Sequence, residues 1–312
     1  MPYTETTMLG KGNDAEWGTN LIPKQWLPDI LKYQIESNPF LPFLQYFDAL
    51  GAKKGDTVHI PRRTNITNLG TTALTSGTAV PTGSFETTQI DCTISEYGNS
   101  IRFETAWNDI LSNSDIAAAV RDTLADDYTQ SLAYIMNGAF VKACGTVFVA
   151  CAVGSYHQGS TADYTDPTTY LEGTMLRTVR DWLRKQITPF APNFPGYYVL
   201  MAHTDTLRYL KGDGDFANSL TAYAYSGDDR LKTDIAGAFG GFVIVENNYL
   251  TAGTSFAFGG QPLGWAVASP LQLKVDPDIM KDYGRASGVA WLSWFGTANV
   301  YPKYAARLVT AG

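Results

Sequence analysis

"SNSDIAAAVRDTLADDYTQSLAYIMNGAFVKACG", residues Ser112 to Gly145, carries the strongest local pattern in the chain. Ser112 or Ser114 offers an N-cap oxygen, and Asp115 puts a negative charge in the first turn. Ile116, Val120, Leu124, Tyr128 and Leu132 follow at i, i+4. The row then passes to Ile135, Ala139 and Ala143, as the roughly 40° drift of an i+4 row requires. Gly145 can close the helix. The spacing predicts one helix over Ile116 to Ala143, on the order of 45 Å at about 1.5 Å per residue, long enough to act as the backbone of a whole body.

Upstream lie two runs with the period of strands. "DTVHIPR" (Asp56 to Arg62) puts Val58 and Ile60 on one side, and "QIDCTISEY" (Gln89 to Tyr97) puts Ile90, Cys92 and Ile94 on one side. Between them "TNITNLGTTALTSGTAVPTGSF", Thr64 to Phe85, has no charged residue and is rich in Thr, which suits extended backbone that is not buried on both sides. The simplest arrangement is a long hairpin, with bends supplied by Gly70, Gly77 and Gly83. A two-stranded hairpin is marginal alone, so its stability is expected to come from a neighbour.

Outward from this pair, residues 1–19 are Gly-, Thr- and Asn-rich and read as an arm ordered by contact with something else. Ile30, Leu31, Ile35, Phe43, Leu44 and Phe47 read as short helical pieces broken by Pro28, Pro39 and Pro42. On the other side, Asp166 as N-cap, Pro167 at the first helical position and the row Leu171, Met175, Val179, Leu183, Ile187 predict a second helix that stops at Pro189. "APNFPG" (Ala191 to Gly196) reads as a junction. A strand at Tyr197 to Ala202, a short helix near "HTDTLRYL" and a strand in "GFVIVENN" then indicate a small α/β unit. "GVAWLSWFGTANVYPKYAARLVT", Gly288 to Thr310, is strand-like and aromatic.

Composition bounds what such a chain does. Of its 312 residues, 45% are apolar and 17% charged, which describes a globular protein with a largely neutral surface. A net charge of -7 argues against binding nucleic acid by phosphate neutralisation. The start lacks the basic-then-apolar pattern of a signal peptide, and "VFVACAV" (Val147 to Val153) is too short to cross a bilayer. Cys92, Cys144 and Cys151 are odd in number and lack metal-ligand spacing, so reduced thiols in a cytoplasmic setting are expected.

Candidate chemistry is thin. His59 lies in an alternating strand, His157 in a Gly/Ser loop and His203 at a helix start, none with a second His at metal-ligand spacing. "HTD" at His203 to Asp205 is expected to be a helix cap through Thr204 or Asp205. "GDGDF", with Asp213 and Asp215, lacks the remaining ligands of a calcium loop and reads as a solvated turn. "GAFGG" (Gly237 to Gly241) precedes a strand, the wrong context for a phosphate loop. Asp122, Asp126 and Asp127 read as a solvated helix face. No converging catalytic set is expected, and no cofactor or metal.

In order, a loose arm, a polar hairpin, one very long helix, a second helix, a small α/β unit and returning strands resemble the major capsid proteins of tailed bacteriophages with the Hong Kong 97-type fold. "YYVLMAHTDTLRYLKGDGDF" resembles the start of that family's axial domain, "GAFGGFVIVENNYL" one of its strands, and "KDYGRASGVAWLSWFGTANVYPKYAARL" its closing segment. The resemblance implies an α+β fold. Its parts would be an N-terminal arm at 1–19, a peripheral domain starting at 20–55, an extended β-hairpin loop at 56–103 and a spine helix within 104–190. An axial α/β domain would take 191–287, and returning strands 288–312.

It further implies self-assembly into hexamers and pentamers, an icosahedral shell in the virion enclosing DNA without sequence-specific binding, and assembly in the host cytoplasm without a membrane. A portal protein is implied as partner, a separate scaffolding protein because the arm is short, and a decoration protein is a further candidate. Arg62, Arg63, Phe85 and Glu86, flanking the neutral tip, are the expected inter-subunit contacts, the arginines through ionic pairs. No Lys lies between Gly55 and Phe103, so covalent cross-linking through this loop is not expected. The competing readings are a minor virion protein for decoration or adhesion, and a cytoplasmic α/β enzyme using His203, Asp205 and Asp213.

Overall fold

The computed structural model describes residues 37–49, 53, 55–63, 73–77, 79–104, 116–152, 155–159, 167–186, 190–191, 194–214, 238–277 and 286–311. The expected arm at 1–19, the pieces around Pro28, the caps Ser112, Ser114, Asp115 and Asp166, and Gly70, Ile187, Pro189 and Asp215 lie outside the described residues.

The long helix forms over Ile116–Ala143 (α1), the predicted span. Before it come the strands β1 (Leu44–Asp48), β2 (Thr57–Arg63), β3 (Thr87–Thr93) and β4 (Ser95–Glu104). After it come β5 (Thr146–Ala152), β6 (Ser155–Gly159), helix α2 (Gly173–Gln186), and the short β7 (Phe190–Ala191) and β8 (Phe194–Pro195). Then follow β9 (Tyr198–Ala202), helix α3 (Thr204–Gly212), β10 (Ala238–Phe239), β11 (Phe242–Glu246) and β12 (Thr254–Phe258). β13 (Leu263–Asp276), β14 (Ala286–Asn299) and β15 (Ala305–Val309) complete the series.

Two sheets carry the body: one in the order β1-β13-β14-β4, the other β10-β11-β9-β12-β15-β5-β6. The second is covered on both faces. Met175, Leu176, Val179 and Leu183 of α2 pack on one, with Phe148, Leu200 and Phe242. Leu132, Met136 and Phe140 of α1 pack on the other, with Val199, Met201, Phe256 and Phe258. The same helix reaches the first sheet through Leu263, Val267 and Phe295, and farther toward its N-terminus through Leu124 on Val289 and Trp291. Burying a large side chain stabilises by about 1.5–3 kcal/mol, so this row on α1 is what joins the two sheets into one core.

Several expectations are corrected. Leu44–Asp48 is a strand and not helical; it runs parallel to β13, pairing Leu44 with Leu263 and Asp48 with Val267. α2 starts at Gly173, not Pro167, because the amides of Thr168 and Thr169 are drawn to the Ala150 carbonyl at 2.9 and 3.4 Å and hold the chain extended along β5. Its row Leu171, Met175, Val179, Leu183 is buried as predicted. The hairpin ends at Thr93; beyond Ile94 the chain changes sheets, and Ser95–Glu104 pairs with β14 instead of β2.

The expected boundaries at 191 and 288 do not follow the sheets either. β5, from before the first boundary, and β15, from after the second, pair in parallel and share a sheet with β9 and β11. Local patterns carry no information about such partners.

Candidate inter-subunit hairpin

β2 and β3 pair from Thr57↔Thr93 to Arg63↔Thr87, with Ile60 opposite Ile90. Alternation divides the ribbon into two faces. On the inner face Val58, Ile60, Ile90 and the fully buried Cys92 pack on Ala266, Ala268 and Ala298, with Phe47 and Trp294 beside them. The hairpin's proximal half therefore finds its support within its own chain, contrary to the expectation that all of it must come from a neighbour. The seat is close. A Cβ built on Gly296 would stand 2.5 Å from the Thr93 carbonyl oxygen and 2.7 Å from Cys92 Sγ. Burial pushes the Cys92 thiol pKa up.

On the outer face His59 Nδ1 lies 2.7 Å from Asp91 Oδ1, and the Gln89 amide donates to the same carboxylate at 2.7 Å. That amide, followed by His59, holds the Asp91 carboxyl below its ordinary value. His59 was legible only as a strand residue; its acidic partner is 32 positions away.

The predicted contact residues separate. Arg62 lies on the inner face: Nη1 donates to the Val300 carbonyl at 2.9 Å, Nε to Thr88 Oγ1 at 3.2 Å, and Cζ stands 6.0 Å from the centre of the Tyr301 ring. Arg63 is exposed on the other face. Phe85 and Glu86 are exposed where the chain re-enters β3. Residues 73–77 and 79–89 are all exposed, with Leu74 at 59%, Val80 at 68% and Phe85 at 60%. Residues 64–72 and 78 lie outside the described set.

The residues weighed for catalysis have structural partners instead. His203 is itself the N-cap of α3, its Nδ1 accepting from the Asp205 amide at 3.1 Å, in place of the expected Thr204 or Asp205. Asp213 accepts from the Gly173 amide at 2.6 Å, at the N-terminus of α2. Asp127 accepts from Trp291 Nε1 at 2.6 Å and from Asn99 at 3.0 Å, so part of the expected solvated face is an anchor. The side chains of His157 and Cys151 lie outside the described residues. Among the described residues no group of three or more His, Cys, Asp or Glu is placed to hold a metal, and no helix is long and apolar enough to cross a membrane.

No family model matches the chain, and no curated protein matches it. Solved structures do. The capsid structure of Helicobacter pylori bacteriophage KHP30 superposes with a TM-score of 0.66 at 12% identity, covering 95% of this chain and 97% of that one. The capsid structure of the cyanophage P-SCSP1u gives 0.68 at 11% identity, covering 100% of both. The capsid of the cyanophage Pam1 gives 0.65 at 16%, covering 94% and 98%. The chain thus has the α+β, Hong Kong 97-type fold of tailed-phage capsid proteins.

Proposed function

We propose that this chain is a major capsid protein whose copies assemble as rings of six and five into the icosahedral shell that encloses phage DNA. The likeness to capsid subunits over nearly the full length of both chains carries this reading, since it leaves no large region of either chain unmatched. The reading makes the role structural rather than enzymatic. Of the residues on which an enzyme reading rests, His203 caps α3 by accepting from the Asp205 amide, and Asp213 accepts from the first amide of α2.

The hairpin supports the same conclusion. Its proximal half is seated on its own sheet, while the distal half carries Leu74, Val80 and Phe85 into solvent. These side chains are available to a contact with another copy. Head-to-tail ring assembly provides one, with the distal segment of each copy resting on the next. In this reading Arg63, Phe85 and Glu86 meet the adjacent copy, and Arg62 acts through the hairpin's own chain. The hold is noncovalent, because the loop has no Lys.

The peripheral body then comprises the four-stranded sheet, α1 and the hairpin. The axial body comprises the seven-stranded sheet with α2 and α3. The subunit resides in the virion after assembly in the host cytoplasm, with a separate scaffolding protein, a portal protein and a decoration protein as partners. An acidic chain repels DNA weakly and leaves the genome free to exit. Negative-stain microscopy of the purified protein tests the reading: closed shells or free rings of five and six are expected. A persistent monomer in the presence of its scaffold would overturn it.

A further inference from the structure

The outer face of the hairpin carries a cluster that hydrogen bonding alone leaves unresolved. β2 and β3 form a sheet of two strands, and their register sets His59 directly opposite Asp91. Gln89, two residues before Asp91 on β3, lies on the same side of the ribbon. Three atoms from these residues converge. His59 Nδ1 and Gln89 Nε2 each stand 2.7 Å from Asp91 Oδ1, and they stand 2.5 Å from each other. Pro61, opposite Gln89, adds no competing polar side chain.

With Asp91 ionised, as an exposed carboxyl is near neutrality, no placement of protons satisfies this triangle. With a proton on Nδ1 the imidazole donates to Asp91, but the Gln89 amide nitrogen is then a second donor pressed against the first. With Nδ1 bare the amide can donate to it, but lone pairs of His59 and Asp91 then face each other across 2.7 Å. Turning the amide about exchanges its oxygen and nitrogen at almost no change of shape, and sets the Gln89 oxygen against the carboxylate oxygen. Each arrangement leaves one repulsive edge. A single positive centre removes them all, because a bare imidazole nitrogen, a carboxylate oxygen and an amide oxygen each offer it a lone pair.

We propose that His59 Nδ1, Asp91 Oδ1 and the Gln89 amide oxygen form a three-ligand site for a divalent first-row transition cation such as zinc, which clips β2 to β3 across the exposed face of the ribbon. The imidazole selects this class of ion over magnesium and calcium, which prefer all-oxygen sites. At metal–ligand lengths of about 2.0–2.2 Å, ligand atoms set at right angles are about 3 Å apart, so the triangle needs to open by only a few tenths of an ångström. The His59 and Asp91 side chains are 58% and 60% exposed and free to make that adjustment, and the remaining coordination positions are open to water. The clip has a structural use. The inner face of the ribbon is held by packing on the chain's own sheet, whereas every residue of β2 and β3 that faces outward is exposed. An ion that binds the paired strands and not the unfolded chain stabilises the pairing by mass action, and so stiffens the stem that carries the distal segment.

Calorimetric titration of zinc into single copies of the full chain tests the site. One saturable site per chain is expected, and calcium in place of zinc should show none. His59→Ala and Asp91→Asn should each weaken zinc binding by about tenfold or more, since loss of even an orienting partner of a metal ligand costs about 10–100-fold. His157→Ala and His203→Ala should leave it unchanged. Gln89→Glu replaces the amide oxygen by a charged one and should tighten binding by about tenfold or more, a gain that a merely misfolded variant cannot mimic. Absence of a saturable zinc site, a site that survives His59→Ala, or a Gln89→Glu chain that binds zinc no more tightly would each overturn the proposal. Single copies are measured, so the result is independent of whether shells form.

Discussion

The indole N–H of Trp291 donates to Asp127 Oδ2 at 2.6 Å, joining the middle of the long helix to the central strand of the four-stranded sheet. Trp291 is buried and Tyr128 meets it edge-on at 5.2 Å, so the bond lies at the margin of an apolar contact where water competes poorly. Asp127→Ala leaves the indole without an acceptor and is expected to cost about 1–3 kcal/mol of stability. Asp127→Asn keeps an oxygen and should cost less. Urea unfolding midpoints of the two variants check this; equal midpoints would mean that the bond contributes nothing.

Gly296 is set by the hairpin above it. Gly296→Ala places a methyl 2.5 Å from the Thr93 carbonyl oxygen, an overlap that the backbone must relieve by lifting β3. A loss of about 1–3 kcal/mol is expected, the usual range for overpacking. Thermal unfolding measures it, and a variant as stable as the parent would show that the hairpin sits more loosely than described.

Asp213 acts on a helix distant in sequence. Its carboxylate accepts the first amide of α2, where a negative charge also meets the helix dipole favourably. Asp213→Ala is expected to lower stability by about 0.5–2 kcal/mol, the range for losing an N-terminal cap, with Asp213→Asn recovering most of it. The thermal midpoints of the pair give the comparison. Calcium should leave both unchanged if capping is the whole role.

Cys144 makes stability depend on alkaline pH. Burial pushes its thiol up to about 12 from an ordinary value of 9.0, opposed only partly by Arg307. A folded-state value above the unfolded one favours the protonated fold. That contribution is full below about pH 9 and is lost as pH rises toward 12. Cys144→Ala should therefore flatten the fall in stability as pH rises from about 9 toward 12. Parallel stability curves for parent and variant would contradict the assignment.

The distal hairpin is expected to act between copies. Replacing Thr64 to Phe85 with a short Asn-Gly link should leave the subunit's thermal midpoint nearly unchanged, since the described part of that stretch is exposed. The shortened chain should no longer build stable shells. A collapse of the monomer's own fold would instead place the segment in its core.

Much of this architecture is legible in the sequence, because periodicity reports which side chains face a neighbour. The row from Ile116 to Ala143 gave the long helix its true bounds. The alternation of Val58, Ile60, Ile90 and Cys92 marked one buried face of the hairpin. The order of elements pointed to the capsid fold that the structure and its likenesses bear out.

Periodicity does not say which neighbour is faced. That Asp127 meets Trp291 across 164 positions, that Asp213 caps a helix beginning 40 positions earlier, and that Arg62 reaches Val300 across 238 were matters for the tertiary structure. So was the parallel pairing of β15 with β5, which merges segments from both sides of the expected domain boundaries into one sheet. A polar side chain takes its role from whichever group the packed core brings within bonding distance, and packing is decided by the shapes of surfaces far apart along the chain. The hairpin shows both limits: its alternation announced a buried face, and only the fold revealed that the proximal half of that face rests on the chain's own sheet.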